Sequence, residues 1–107
     1  RGDGSGWDQE RDALSKGADI IVATPGRLIS HLNQGYVKFN QIEILVLDEA
    51  DRMLDIGFYD DIMHIISYLP KKRQTLMFCA TMPQKIRSMS KHIMKNPAEI
   101  TLNYFRY

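Results

Sequence analysis

Apolar residues in this chain follow two alternating rhythms. Short unbroken runs, Ile20-Ile21-Val22, Ile44-Leu45-Val46-Leu47 and Leu76-Met77-Phe78, have the length and composition of buried strands. Between them apolar positions recur at helical spacing: Leu28, Ile29 and Leu32, then Phe58, Ile62, Ile65, Ile66 and Leu69, then Ile86, Met89 and Ile93. A glycine-rich loop opens the chain, and a short polar helix over about residues 8–15 closes at Gly17. Strands are predicted over residues 19–23, 42–47 and 74–80, and a short fourth one over 99–102. Thr24 and Pro25 supply an N-cap and a first helical residue for a helix that stops near Asn33-Gln34-Gly35. Pro70 ends the helix that follows Gly57-Phe58. Thr81-Met82-Pro83-Gln84 has capping-box spacing for a last helix, which Asn96-Pro97 stops.

Strand and helix alternate throughout, which predicts an α/β fold: a parallel sheet with helices on both faces. At 107 residues, with no internal repeat and no linker, the chain is one small domain or a piece of a larger one. Composition narrows the picture by exclusion. A net charge of +1 is too small to argue for nucleic acid, so that claim must rest on local groups. The single cysteine, Cys79, excludes an internal disulfide framework and fits a reducing, cytoplasmic setting. No apolar run approaches the roughly 20 residues needed to cross a bilayer, so no membrane partner is expected. The first residue is not Met and no apolar signal region follows it, so the chain is expected to begin inside a longer reading frame.

Chemistry gathers at the strand ends. In a parallel sheet Thr24-Pro25-Gly26-Arg27, Asp48-Glu49-Ala50-Asp51 and Cys79-Ala80-Thr81 would share one edge, the edge at which open α/β sheets bind ligands. Asp48 can orient a hydrated Mg²⁺, and Glu49 can position or deprotonate a water molecule, a pairing that nucleotide hydrolysis needs. Free N–H groups at the helix start beside Arg27 suit a phosphate. Blander readings stand beside these: Thr24 as a helix cap alone, Asp48 and Glu49 as a solvated turn, Thr81 as the N-cap of the last helix. His31, His64 and His92 fall on separate helices without metal-ligand spacing, so solvated or core roles are expected. Lys71-Lys72-Arg73 reads as a solvated basic turn, and the methionines as core filler. Trp7, Tyr104, Phe105 and Tyr107 can stack on bases, but nothing in the pattern places them near a cleft.

Across residues 17–100 the ordered set Ala23-Thr24-Pro25-Gly26-Arg27, Val46-Leu47-Asp48-Glu49-Ala50-Asp51-Arg52-Met53-Leu54, Gly57-Phe58 and Cys79-Ala80-Thr81 resembles the DEAD-box RNA helicases. The match is to the C-terminal half of their first RecA-like domain. The resemblance implies a partial RecA-like, P-loop NTPase domain over residues 1–107, with ATP and Mg²⁺ as cofactors. Asp48 would hold Mg²⁺ through its water shell and Glu49 would activate the attacking water. Asp51 would bond to Cys79 and Thr81, the element that relays the nucleotide state to the RNA cleft. Thr24, Pro25, Gly26 and Arg27 would contact the RNA backbone, and residues 2–6 would match part of a glycine-rich RNA-contacting loop.

The implied partners are single-stranded or duplex RNA and the second RecA-like domain of the parent chain. The parent is expected to be an ATP-dependent RNA helicase that separates short duplexes by closing two domains on one strand. Cys79 departs from the family, which usually has Ser there. A thiol is the weaker hydrogen-bond partner, so a looser link to Asp51 is expected. No glycine-rich phosphate loop with its Lys-Ser/Thr occurs in these residues, so the isolated chain is expected to hydrolyse no ATP. Two alternatives stay open: another P-loop ATPase acting on DNA or protein, and a non-enzymatic fragment with weak RNA binding.

Overall fold

The computed structural model describes residues 4–101. Five helices and two strands follow in the order α1 (Gly4–Lys16), α2 (Pro25–Leu32), β1 (Ile44–Leu47), α3 (Ala50–Ile56), α4 (Tyr59–Ile66), β2 (Gln74–Met77) and α5 (Gln84–Ile93). The α/β class with a parallel sheet and packed helices is the expected one, but among the described residues helices cover one face of the sheet and not both.

β1 and β2 pair in parallel, Ile44 opposite Gln74 through Leu47 opposite Met77. Both are shorter than the pattern suggested, but backbone bonds carry the ladder past each end, from Gln74 N–H to the Glu43 carbonyl (2.8 Å) and from Phe78 N–H to the Leu47 carbonyl (2.8 Å). One face of the pair packs on the helices. Leu47 joins Ala50, Leu54, Ile62, Ile86, Met89 and Ile93 in the larger core cluster, with Leu45 and Met77 at its margin. The opposite face carries Ile44, Val46, Leu76 and Phe78, all exposed. Apolar side chains on both faces are the signature of a strand built to be covered twice. A second cluster, Leu14, Leu32 and Phe39, joins α1 to α2 and reaches α4 through Ile65 and the loop after it through Leu69.

Four expectations are corrected. The opening loop is helical from Gly4, because Trp7, Glu10 and Leu14 share a face that finds tertiary partners, which outweighs the roughly 1 kcal/mol cost of a helical glycine. Residues 19–23 form no strand: among the described residues no neighbour pairs with them, and Ile20 and Val22 are 83% and 94% exposed. A strand is a paired state, and apolar composition alone cannot supply the partner. Residues 99–101 are likewise not a strand, while Leu102 lies outside the described residues, as do Tyr104, Phe105 and Tyr107. The Thr81–Gln84 capping box does not form; α5 takes Pro83 as its N-cap, and the Thr81 hydroxyl is spent elsewhere.

One helix was not foreseen. α3 begins inside the acidic tetrad and ends at Gly57, which sits at φ +106 and donates to the Leu54 carbonyl, while Phe58 N–H reaches back to Met53 (2.9 Å). That is a Schellman-type stop, and it needs a residue free of Cβ at Gly57. Arg73 is also not the solvated residue expected. It is half-buried and donates to the carbonyls of Pro70 (3.0 Å) and Ile93 (3.1 Å) and to the Thr75 hydroxyl (3.1 Å), tying the end of α5 to the start of β2. Lys71 and Lys72 are exposed.

Candidate functional site

β1 delivers its last residue, Leu47, into the core, and the next two side chains emerge at the sheet edge. Ala50 N–H donates to the Phe78 carbonyl (2.9 Å), so the turn after β1 is pinned to the chain leaving β2. Between those two anchors Glu49 takes a left-handed backbone, φ 52 and ψ 46, rare for a residue with a Cβ. Strain of this kind persists where surrounding structure over-determines it. Here the fixed points are the buried Leu47 and the fully buried Ala50. Asp48 Oδ1 accepts the Glu49 amide (2.9 Å), and both carboxylates remain exposed.

Asp48, Glu49, Asp51, Arg52, Phe78, Cys79 and Ala80 line a cavity of about 190 Å³. It has room for several waters but is smaller than the roughly 300–1,000 Å³ of clefts that enclose whole small molecules. Among the described residues no three His, Cys, Asp or Glu side chains come together as a metal-ligand set. One exposed carboxylate with a free oxygen is nonetheless what a largely hydrated Mg²⁺ takes from a protein.

Asp51 behaves differently from its neighbours. It is 6% exposed, and its Oδ2 accepts both the Thr81 amide (3.0 Å) and the Thr81 hydroxyl (2.8 Å). The Thr81 hydroxyl, more than any other group, holds this carboxyl below its usual range despite burial. Thr81 is therefore a partner of Asp51 and not the cap of α5. Cys79 does not share that bond: its thiol approaches Met82 Sδ at 3.7 Å, so the expected Asp51–Cys79 link is corrected. Thr81 carries the connection, and the weak donor strength of sulfur bears on Met82 instead. Burial pushes the Cys79 thiol up, and the Asp51 charge adds to the shift. Iodoacetamide at pH 7 should accordingly label Cys79 several-fold more slowly in the native protein than in urea. Equal rates would show the thiol to be open.

Thr24-Pro25-Gly26-Arg27 lies apart from this cavity and lines none of it. Because the strand before it does not form, the predicted three-stranded edge reduces to the ends of β1 and β2. Thr24 has the extended backbone of an N-cap, but its side chain makes no capping bond; its carbonyl instead accepts Leu28 N–H (3.1 Å). Arg27 is engaged by α1. Its Nε donates to Glu10 Oε1 (2.8 Å), and its guanidinium lies 5.0 Å from the centre of the Trp7 ring. Trp7 stacks on His31 (3.7 Å between centroids, 13° between planes), and His31 Nε2 meets the same Glu10 oxygen (2.8 Å). His31 Nδ1 contacts the Tyr36 hydroxyl, so this histidine is buried and bonded on both sides. Arg27 first, then His31, draw the Glu10 carboxyl below its ordinary range. Glu10 and Tyr36 were missed from the sequence, and Trp7, read there only as a side chain able to stack on bases, stacks instead on His31. The available signal was spacing, since Trp7 and Glu10 at i,i+3 and Arg27 and His31 at i,i+4 each share a helix face.

The end of β1 thus presents two exposed carboxylates, Asp48 and the left-handed Glu49, at the carboxyl edge of a parallel sheet in an α/β frame. The family model for DEAD/DEAH box helicase matches residues 2–89. The chain is 48% identical over 99 residues to "ATP-dependent RNA helicase DeaD" of Buchnera aphidicola subsp. Schizaphis graminum (strain Sg), an alignment covering 92% of this chain and 16% of the relative. It is 45% identical over 100 residues to "ATP-dependent RNA helicase DbpA" of Escherichia coli (strain K12), covering 94% of this chain and 22% of that one. The crystal structure of the yeast DEAD-box splicing factor Prp28 superposes with a TM-score of 0.74 at 42% identity, covering 82% of this chain and 21% of that chain. This chain belongs to the DEAD/DEAH box helicase family. It spans about a sixth to a fifth of the length of these relatives.

Proposed function

We infer that the chain is the water- and magnesium-handling half of the first RecA-like domain of an ATP-dependent RNA helicase. The observation that carries this reading is the divergence of the three carboxylates within one tetrad. Asp48 and Glu49 stand exposed at one cavity, while Asp51 is buried and committed to Thr81. A solvated acidic turn has no reason to sort its charges in this way.

Asp48 is the residue that would hold Mg²⁺ through water, and the ion would supply charge neutralisation at the ATP phosphates. Glu49 orients and deprotonates the attacking water, its carboxylate set by the left-handed turn. Asp51 and Thr81 join the ends of β1 and β2 into one unit, so a shift at either is felt at the other. Thr24, Pro25, Gly26 and Arg27 face the RNA backbone, with Arg27 as the charged group. The second RecA-like domain and a phosphate-binding loop come from chain beyond these residues. The isolated chain, without that loop, hydrolyses no ATP.

The test is the full-length protein. RNA-stimulated, Mg²⁺-dependent ATP hydrolysis together with separation of a short RNA duplex is the expected result. ATP turnover stimulated equally by DNA, with no RNA strand separation, would move the protein to another class of P-loop ATPase.

A further inference from the structure

The cluster around Arg27 is more ordered than a surface arginine requires. Arg27 is 48% exposed, yet three groups from α1 and α2 define its pose. Glu10 takes its Nε–H, its Cζ stands over the Trp7 ring at 5.0 Å, and His31 stacks on the same ring. A guanidinium has five N–H bonds, and Nε uses one. Among the described residues no acceptor takes the four on Nη1 and Nη2. The planar, two-nitrogen end that matches a phosphate is thus presented while the stem end is held.

Glu10 is itself held. Its Oε1 accepts from Arg27 and from His31 Nε2. Since a carboxylate only accepts, Nε2 carries the proton, and in the neutral ring Nδ1 accepts from the Tyr36 hydroxyl. His31 is 1% exposed, so this tautomer is fixed inside the protein and not by solvent. The relay Tyr36–His31–Glu10–Arg27 runs from the loop after α2, through the core of the α1–α2 pair, to the surface.

We propose that Glu10, braced by His31 and Tyr36, is the positioning residue for Arg27, and that the relay prepares its terminal nitrogens for an RNA phosphate. This rests on the RNA-contact reading above and deepens it. A free arginine must surrender side-chain freedom on binding, whereas one already held at Nε and placed over Trp7 has surrendered most of it beforehand. The opposing effect is the Glu10 charge, which repels a phosphate. Its position on the Nε side, away from the two-nitrogen end, and its ion pair with Arg27 make ordering the larger effect.

The experiment measures binding of a fluorescein-labelled ten-nucleotide oligouridylate to the full-length protein across a salt series, with Arg27→Ala, Glu10→Ala, Glu10→Gln and the Glu10→Ala/Arg27→Ala double variant. Arg27→Ala is expected to weaken binding about tenfold and lower the salt slope by ~0.7. Glu10→Ala should weaken binding about three- to tenfold although it removes a negative charge, and Glu10→Gln, which keeps the acceptor, should restore it to within about twofold. The double variant should bind as Arg27→Ala alone does. Tyr36→Phe, which leaves Glu10 intact and breaks only the far end of the relay, should give a smaller loss in the same direction. Unchanged or tighter binding by Glu10→Ala, or an equal loss with Arg27 already removed, overturns the positioning role and leaves the RNA reading standing. Unchanged binding by Arg27→Ala overturns both.

Discussion

Replacing Glu49 by Gln in the full-length protein is expected to lower RNA-stimulated ATP turnover by about 10²–10⁴-fold, the usual worth of a positioned general base. Gln keeps the length of the side chain, its acceptor oxygen and the unbranched Cβ that the left-handed backbone at φ 52 must accommodate. It loses the ability to take a proton. The exposed side chain makes few contacts beyond a distant approach to Arg52 (3.9 Å), so folding and RNA affinity should be unchanged. The loss should therefore fall on kcat with ATP affinity retained, as expected for an interaction made in the transition state. A Gln variant that keeps a tenth or more of the wild-type rate would remove Glu49 from the chemistry.

The second large effect belongs to Asp51 and Thr81. Thr81→Val removes the hydroxyl that lowers the Asp51 carboxyl most, and leaves a buried charge with only backbone donors. The variant should denature at clearly lower urea than the wild type at pH 7. Asp51 has a native pKa below its unfolded value of about 3.9, so its bonded form stabilises the protein in full above that value. The stabilisation is lost as pH falls through the native pKa. Hence the gap between the two proteins should be widest at neutral pH, narrow below about pH 4, and close in stronger acid. Urea midpoints measured from pH 7 down to pH 3 check this. A gap that stays constant would mean that Thr81 contributes by packing and not by charge. In the full-length protein the same change should lower strand separation per ATP hydrolysed, since it cuts the side-chain tie between the β1 and β2 ends.

What the sequence revealed and what it hid divide along a physical line. Elements that need only their own periodicity were legible: α2 from Leu28, Ile29 and Leu32, α4 from Ile62, Ile65 and Ile66, α5 from Ile86, Met89 and Ile93. The apolar run ahead of the acidic tetrad located β1. α3 was hidden because its seven residues, about two turns, interleave Asp51, Arg52 and Asp55 with Met53, Leu54 and Ile56 over too short a span to show a period, and its start depends on a turn at Glu49 that no propensity favours. Residues 19–23 misled because pairing partners are not encoded in the strand itself. In the site, the tetrad was readable from chemistry, yet the choice between Thr81 as cap and Thr81 as partner turned on where one hydroxyl points. Cys79 failed as a partner for the same reason, since sulfur found Met82 instead. The Arg27 relay depends on α1 and α2 lying side by side, a relation that no local window contains.

The register of β1 on β2, Ile44 opposite Gln74 through Leu47 opposite Met77, makes the site a measure of how accurately the chain has folded. A slip of one residue advances a strand by about 3.3 Å and turns its side chains to the opposite face. Phe78 could then no longer receive Ala50 N–H, and Thr81 would be carried out of reach of Asp51. With apolar residues on both faces, burial alone separates the correct register from its neighbours only weakly. The polar closure at the carboxyl end supplies the discrimination, so the acidic edge acts as the ruler by which the sheet is aligned.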